Sequence, residues 1–247
     1  MKNRKKNSTF IWNKYYEDFE KGDWLGNQYP NEFLIRFVSN LRKKYTNSGY
    51  FKDKGNEIKL KKNFNGNALE IGFGGLANLM MLRSKGFNCH GIEVSENAVK
   101  RSKSYLKRNN LKKIKTSVWE KNSRLPFEDN TFDLVVGLQC IYYNTDIKFI
   151  IKEIKRVIKK NGKFIFSFFS KNHGYMKYID VINRDKNIIK WSNKHPNKRI
   201  VGSQLYHAKS KENLNKLFKD FKNKKIFTFE TDQLPIFQSW WYITGKK

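Results

Sequence analysis

From Gly66 to Phe169 the chain alternates short strand-like runs with amphipathic helical runs, and that rhythm leaves few folds open. "NALEI" (67–71) reads as a strand, and "LANLMMLRSK" (76–85) as a helix stopped by Gly86. "NCHGIEV" (88–94) is a second strand, and "ENAVKRSKSYLKRN" (96–109) a helix that Ser95 can cap. "IKTSVW" (114–119), "DLVVGLQC" (133–140) and "KFIFSFF" (163–169) supply three more strands. Between the last two, Ile147, Ile150, Ile151, Ile154, Val157 and Ile158 share one helical stripe, with Gly162 expected as its stop. Such alternation produces βαβ crossovers and a mostly parallel sheet.

The flanks follow other patterns. Phe10, Trp12, Tyr15, Tyr16 and Phe19 recur at helical spacing, and Phe33, Leu34, Phe37, Val38 and Leu41 do so again after Pro30 and Asn31. Residues 46–66 read as a polar linker, and residues 171–208 hold no clean period. "SKENLNKLFKDF" (210–221) is a helix capped by Ser210. "KIFTFETD" and "SWWYITGK" follow with a link too short for a crossover, so they should pair antiparallel. The expected fold class is α/β: a doubly wound, Rossmann-like, mostly parallel seven-stranded sheet with a C-terminal antiparallel hairpin and an N-terminal helical cap. The expected division is a cap and linker over 1–66 and a cofactor-binding domain over 67–247, with 171–208 inserted to cover the substrate.

Composition bounds the partners. No run of eighteen apolar residues exists and no apolar segment follows the basic start, so neither a membrane span nor a secretory signal is expected. Cys89 and Cys140 form no metal pattern, no metal is expected, and a reducing cytoplasm is the natural setting. The formal charge of +29 admits a nucleic-acid partner. Lysines nevertheless far outnumber arginines and are scattered along the chain, the pattern of compositional drift. Oligomeric state leaves no signature.

The glycine turn in "ALEIGFGGLANLMML" (68–82) holds a cofactor by presenting backbone N–H groups at a helix start. Gly72, Gly74 and Ala77 fit the G-x-G-x-x-G/A dinucleotide pattern, and Glu93 stands where a ribose diol would be bound, so NAD is a candidate. Glu70 weighs against it. A carboxylate at the end of the first strand repels a pyrophosphate and suits a cationic amino-acid head.

With "LEIGFGG", "GIEVSENAV", "LPFEDNTFDLVV" and "EIKRVIKKNGKFIFS" arriving in order, the chain resembles the class I S-adenosylmethionine-dependent methyltransferases of the small-molecule type. The resemblance runs from about Ala68 to Phe169 and resumes in the closing hairpin. It implies S-adenosyl-L-methionine as cofactor. Glu70, Gly72, Phe73 and Gly74 would hold its methionine end, and Glu93 and Val94 its ribose. Leu138 and Gln139 would border the sulfonium. The family's acid toward the adenine amine has Glu120 as its nearest match, with Lys121 in the usual slot. Leu76 replaces a loop glycine, and Tyr142-Tyr143 stand where the family often has His-His.

The implied activity is methyl transfer to a small-molecule acceptor. An oxygen is the expected acceptor atom, on a sugar or other surface-polysaccharide building block. RNA or protein methylation over the basic surface, a non-catalytic nucleotide-binding role and an NAD-dependent reductase are the alternatives. "LQCIYY" lacks the Asn/Asp-Pro-Pro-aromatic run of base-flipping enzymes. His173, His207 and Tyr29 are the expected catalytic residues, the two histidines as bases, and Tyr29, with Tyr15, Tyr16 and Trp24, is expected to line the acceptor pocket or close over it. His90 is expected to be structural and His195, in "NKHPNK", solvated.

Overall fold

The computed structural model describes residues 8–17, 29–40 and 65–247. Within them lie strands β1 (Asn67–Ile71), β2 (Asn88–Glu93), β3 (Ile114–Val118), β4 (Phe132–Gly137), β5 (Ile158–Phe169), β6 (Ile179–Asn183), β7 (Ile188–Trp191), β8 (Gln204–Tyr206), β9 (Lys222–Thr231) and β10 (Gln238–Lys246). The helices are α1 (Ser8–Glu17), α2 (Glu32–Asn40), α3 (Ala77–Ser84), α4 (Glu96–Arg108), α5 (Ile147–Val157) and α6 (Lys211–Leu217). Phe19, Trp24, Leu41 and most of the expected linker lie outside the described residues.

Among the described residues the main sheet has seven strands in the order β3-β2-β1-β4-β5-β10-β9. The first five are mutually parallel, and β10 inserts antiparallel between β5 and β9, as the short final link requires. The strand order reverses direction between β1 and β4. Open α/β sheets bind ligands at that point, beyond the strands' carboxyl ends.

Leu134, Val135 and Val136 of β4 are all buried, because a central parallel strand is covered on both faces. The α5 stripe of Ile147, Ile150, Ile151, Ile154 and Val157 is likewise buried, each side chain contributing about 1.5–3 kcal/mol. Ser95 caps α4 by accepting from the Ala98 N–H at 3.3 Å. Ser210 caps α6 by accepting from Asn213 at 3.2 Å. Asn31 starts α2 by accepting from the N–H groups of Phe33 and Leu34 at 2.9 and 3.3 Å. Phe33 then packs on Tyr242 and Phe229, with ring centroids 4.3 and 4.9 Å away.

Three sequence expectations are corrected. The α5 helix ends at Val157 rather than at Gly162, because Ile158 already pairs with Phe132 of β4. The turn is made by Asn161 at φ +64°, and Gly162 serves close approach: a Cβ there would lie 2.9 Å from the Phe132 carbonyl. Residues 171–208 hold a three-stranded antiparallel sheet, β6-β7-β8. Its strands span only 3 to 5 residues, and β7 buries adjacent positions Ile188 and Ile189, so no period of two shows in the sequence. His195 is fully buried instead of solvated, its ring 4.5 Å from Tyr175 and 4.8 Å from Trp191. Its polar sequence neighbours conceal an aromatic spatial environment.

Candidate active site

The glycine loop follows β1 and turns sharply enough to need its glycines. Gly72 has φ +68° and Gly74 φ +50°, a region side chains disfavour. Space forbids them as well. A Cβ on Gly72 would lie 2.5 Å from Cys140 Cβ, and one on Gly74 would lie 2.7 Å from the Tyr16 hydroxyl. The loop is thus pressed between the residue following the β4 tip and the aromatic face of α1. Leu76, in place of a further glycine, is fully buried in the core. Phe73 is buried too, its ring over Gly91 of β2.

Two compartments flank this loop and share Gly72, Leu138 and Gln139 in their walls. They form one cleft. The first, of about 130 Å³, is bounded by Tyr29, Asn31, Glu70, Asn78 and the glycine loop. The second, of about 110 Å³, is bounded by Trp12, Tyr16, Glu93, Val94, Trp119, Lys121, Tyr143 and Asn144.

Glu70 sits at the floor of the first compartment and is only 2% exposed. Its Oε1 accepts from Asn78 Nδ2 at 2.7 Å, whereas Oε2 is buried with no partner. Burial pushes its carboxyl up to about 8, against the Asn78 hydrogen bond, and nearby Glu93 pushes the same way. A buried, half-satisfied carboxylate beside a glycine loop is chemically a receptor for a cation.

Glu93, at the end of β2, bridges two backbone segments. It accepts from Gly74 N–H at 3.1 Å and from Val94 N–H at 2.8 Å. Burial raises its pKa, and these backbone bonds counter the rise. The β4 tip is held as firmly. Gln139 adopts φ +57°, donates its N–H to Ser167 Oγ at 2.7 Å, and accepts from Tyr142 Oη at 2.8 Å. A non-glycine residue in this conformation is a strained one, placed where both compartments meet. Cys140, next to it, donates its thiol to the Ile71 carbonyl at 2.7 Å and so ties β4 to β1.

Of the residues expected from sequence, Glu70, Gly72, Phe73, Gly74, Glu93, Val94, Lys121, Leu138 and Gln139 all line this cleft. Tyr29 stands at its rim, 81% exposed. Glu120 is exposed and lines neither compartment. His173 is buried beyond the cleft wall. Its Nδ1 accepts from Tyr175 N–H at 3.1 Å, so Nε2 carries the proton and faces Gln238 Oε1 at 3.0 Å. Burial drives its pKa down to about 4, leaving a neutral ring with both nitrogens engaged. His207 is also held down to about 4, chiefly by burial, and lines neither compartment. Asn78 and Asn31 were not singled out as site residues by the sequence, although an asparagine in the first turn after a glycine loop was a usable signal. Trp119, Cys140, Tyr143 and Asn144 reach the cleft only through the tertiary fold.

Among known proteins, residues 69–166 match the family described as methyltransferase domain. An uncharacterized protein of Methanocaldococcus jannaschii is 32% identical over 149 residues, covering 60% of this chain and 54% of the relative. A ubiquinone biosynthesis O-methyltransferase of Pelagibacter ubique is 28% identical over 124 residues, covering 50% of this chain and 49% of that one. The chain therefore spans about half the length of these curated relatives. Among solved structures, the Haemonchus contortus phosphoethanolamine N-methyltransferase 2 in complex with S-adenosyl-L-methionine superposes with a TM-score of 0.60 at 14% identity. That match covers 99% of this chain and 58% of that one, and it is a likeness of fold.

Proposed function

We propose that the chain, whose residues 69–166 match a methyltransferase domain, binds S-adenosyl-L-methionine in its cleft and moves the methyl group to a small-molecule acceptor. The observation that carries this reading is the unpartnered buried Oε2 of Glu70 beside the glycine loop. An amino-acid ammonium group satisfies that oxygen, whereas a dinucleotide's diphosphate is repelled by it. Asn78 orients the carboxylate and Asn31 orients Asn78. Glu93 at the far side of Gly74 suits a ribose diol, whose hydroxyls can accept from the loop and donate to the acid.

The cofactor supplies a methyl group on a sulfonium, a leaving group that needs no further activation. What the chain supplies is position. Leu138 and strained Gln139 form the wall between the methionine and nucleoside compartments. Holding donor and acceptor in line there contributes on the order of 7–11 kcal/mol to lowering the barrier. Trp12, Tyr16 and Tyr143 give the second compartment an aromatic wall.

The acceptor is proposed to be small, because α1 and the 171–208 segment crowd the cleft: Trp12 meets Tyr143 at 5.1 Å, and Trp191 donates to the Tyr143 hydroxyl at 3.2 Å. An oxygen acceptor on a sugar or similar building block suits these aromatic walls, which stack on sugar faces. With His173 engaged by Tyr175 and Gln238 and His207 outside both compartments, its proton passes to a group other than those two. RNA or protein methylation is the second reading, favoured by the charge of +29. Turnover of labelled S-adenosylmethionine against pooled sugars, phenols and amines, and against total RNA, separates them. Small-molecule methylation insensitive to salt supports the proposal. RNA methylation falling steeply with salt contradicts it.

A further inference from the structure

Toward the other end of the sheet lies a separate groove of about 600 Å³. None of the residues described in its wall borders either compartment of the cleft. Its position follows from the register of β5, β10 and β9. Tyr242 pairs with Phe227, and α2 covers this row through Phe33, whose ring lies 4.3 Å from Tyr242 and 5.7 Å from Phe227. The next row on that face is Ile165-Thr244-Lys225, and the one after it sets Lys163 opposite Lys246. Both rows line the groove, together with Phe37 from the next turn of α2. Apolar side chains and ammonium groups thus share one concavity. Among the described residues no acid stands in its wall, and no carboxylate pairs with Lys163, Lys225 or Lys246. Arg36, in the same wall, is bound to Glu32 at 3.5 Å.

Like charges directly opposite one another destabilise an antiparallel strand pair. Lys163 is half-buried as well, and burial, with Lys246 beside it, holds its pKa below the ordinary lysine value. The sequence that follows α2 adds to the charge, since residues 41–64 carry eight Lys and Arg against Asp53 and Glu57. An anion between the two ammonium groups relieves their repulsion. A polyanion such as RNA gains nothing from the phenyl rings, whereas an apolar tail removes them from water. We infer that this groove is a second binding site, one for an amphiphilic anion, with a phosphate monoester head between Lys163 and Lys246 and an apolar tail along Phe37, Ile165 and Phe227. The inference does not depend on the cofactor reading above.

The test is calorimetric titration of the full chain with dodecyl phosphate below its micelle concentration, on the wild type and on the double variant Lys163→Gln, Lys246→Gln. Thermal unfolding shows that the variant is folded. The wild type is expected to bind one dodecyl phosphate saturably, with or without S-adenosylhomocysteine present. Inorganic phosphate and dodecanol should each bind about tenfold more weakly or worse, because each lacks one half of the ligand. The double variant is expected to lose about tenfold in dodecyl phosphate affinity and to keep its affinity for S-adenosylhomocysteine. Absence of saturable binding overturns the inference, as does equal affinity in wild type and variant. Displacement of dodecyl phosphate by S-adenosylhomocysteine would put the amphiphile in the cleft and also overturn it. Binding to acidic phospholipid vesicles or to RNA, with no response to dodecyl phosphate, would overturn it in favour of a membrane surface or a polyanion.

Discussion

Asn78 donates its side-chain amide to Glu70 Oε1 at 2.7 Å while its Oδ1 accepts from the Asn31 N–H at 2.8 Å. One side chain thus connects the entry of α2 to the acid at the end of β1. Replacing it with alanine leaves Glu70 buried with less support. Asn78→Ala is expected to cost about 1–3 kcal/mol of stability and to weaken S-adenosylhomocysteine binding about tenfold. Thermal unfolding and calorimetry check the two effects separately.

Glu70 makes stability and binding depend on pH in opposite senses. Its folded pKa, about 8, lies above the ordinary carboxylate value of 4.5, so the folded state keeps a proton the unfolded state has released. Stability from this group is fully present below about pH 4.5 and is lost as pH rises through about 8, by a few kcal/mol in order of magnitude. A bound ammonium favours the charged carboxylate. S-adenosylhomocysteine affinity should therefore rise from pH 6 to 8, with about one proton released per ligand. Calorimetry in buffers of different ionisation enthalpy measures that proton, and Glu70→Gln should abolish its release.

Tyr16 closes directly on Gly74. In Gly74→Ala the new Cβ meets the Tyr16 hydroxyl at 2.7 Å and also suffers the φ of +50°. Backbone strain and overpacking together are expected to cost about 2–5 kcal/mol. Tyr16→Phe removes the hydroxyl that the new Cβ meets. The double variant should recover about 0.5–3 kcal/mol relative to additivity, read from chemical denaturation. Strict additivity would place α1 away from the loop.

His173 holds the end of β5 to β10, with its ring 5.0 Å from Trp240 and its Nε2 facing Gln238. His173→Gln is expected to lower stability by about 1–3 kcal/mol and to leave the pH dependence of kcat unchanged. Loss of an alkaline or acidic limb in that profile would make the histidine a base after all.

The sequence disclosed the parts whose signal is local. The strand-helix rhythm placed β1 to β5, the serines at 95 and 210 announced their helices, and Gly72, Gly74, Glu70 and Glu93 stood at fixed offsets around a turn. What stayed hidden depends on side-chain direction after a turn or on distant packing. Glu120 and Lys121 are adjacent, yet Lys121 lines the cleft and Glu120 is exposed, at a turn where left-handed Asn122 is bonded to Asn144 and Asp146. His173 and His195 follow or interrupt polar sequence, yet Trp191, Tyr175 and Trp240 wrap them in three dimensions. Strands as short as β8 carry too few residues for a period to emerge.

Side-by-side titration with S-adenosylhomocysteine and NADH tests the cleft's identity most directly. Saturable binding of S-adenosylhomocysteine, lost in Glu93→Ala and weakened in Glu70→Gln, with NADH inert, is the predicted result. Tight NADH binding with no response to S-adenosylhomocysteine would contradict it.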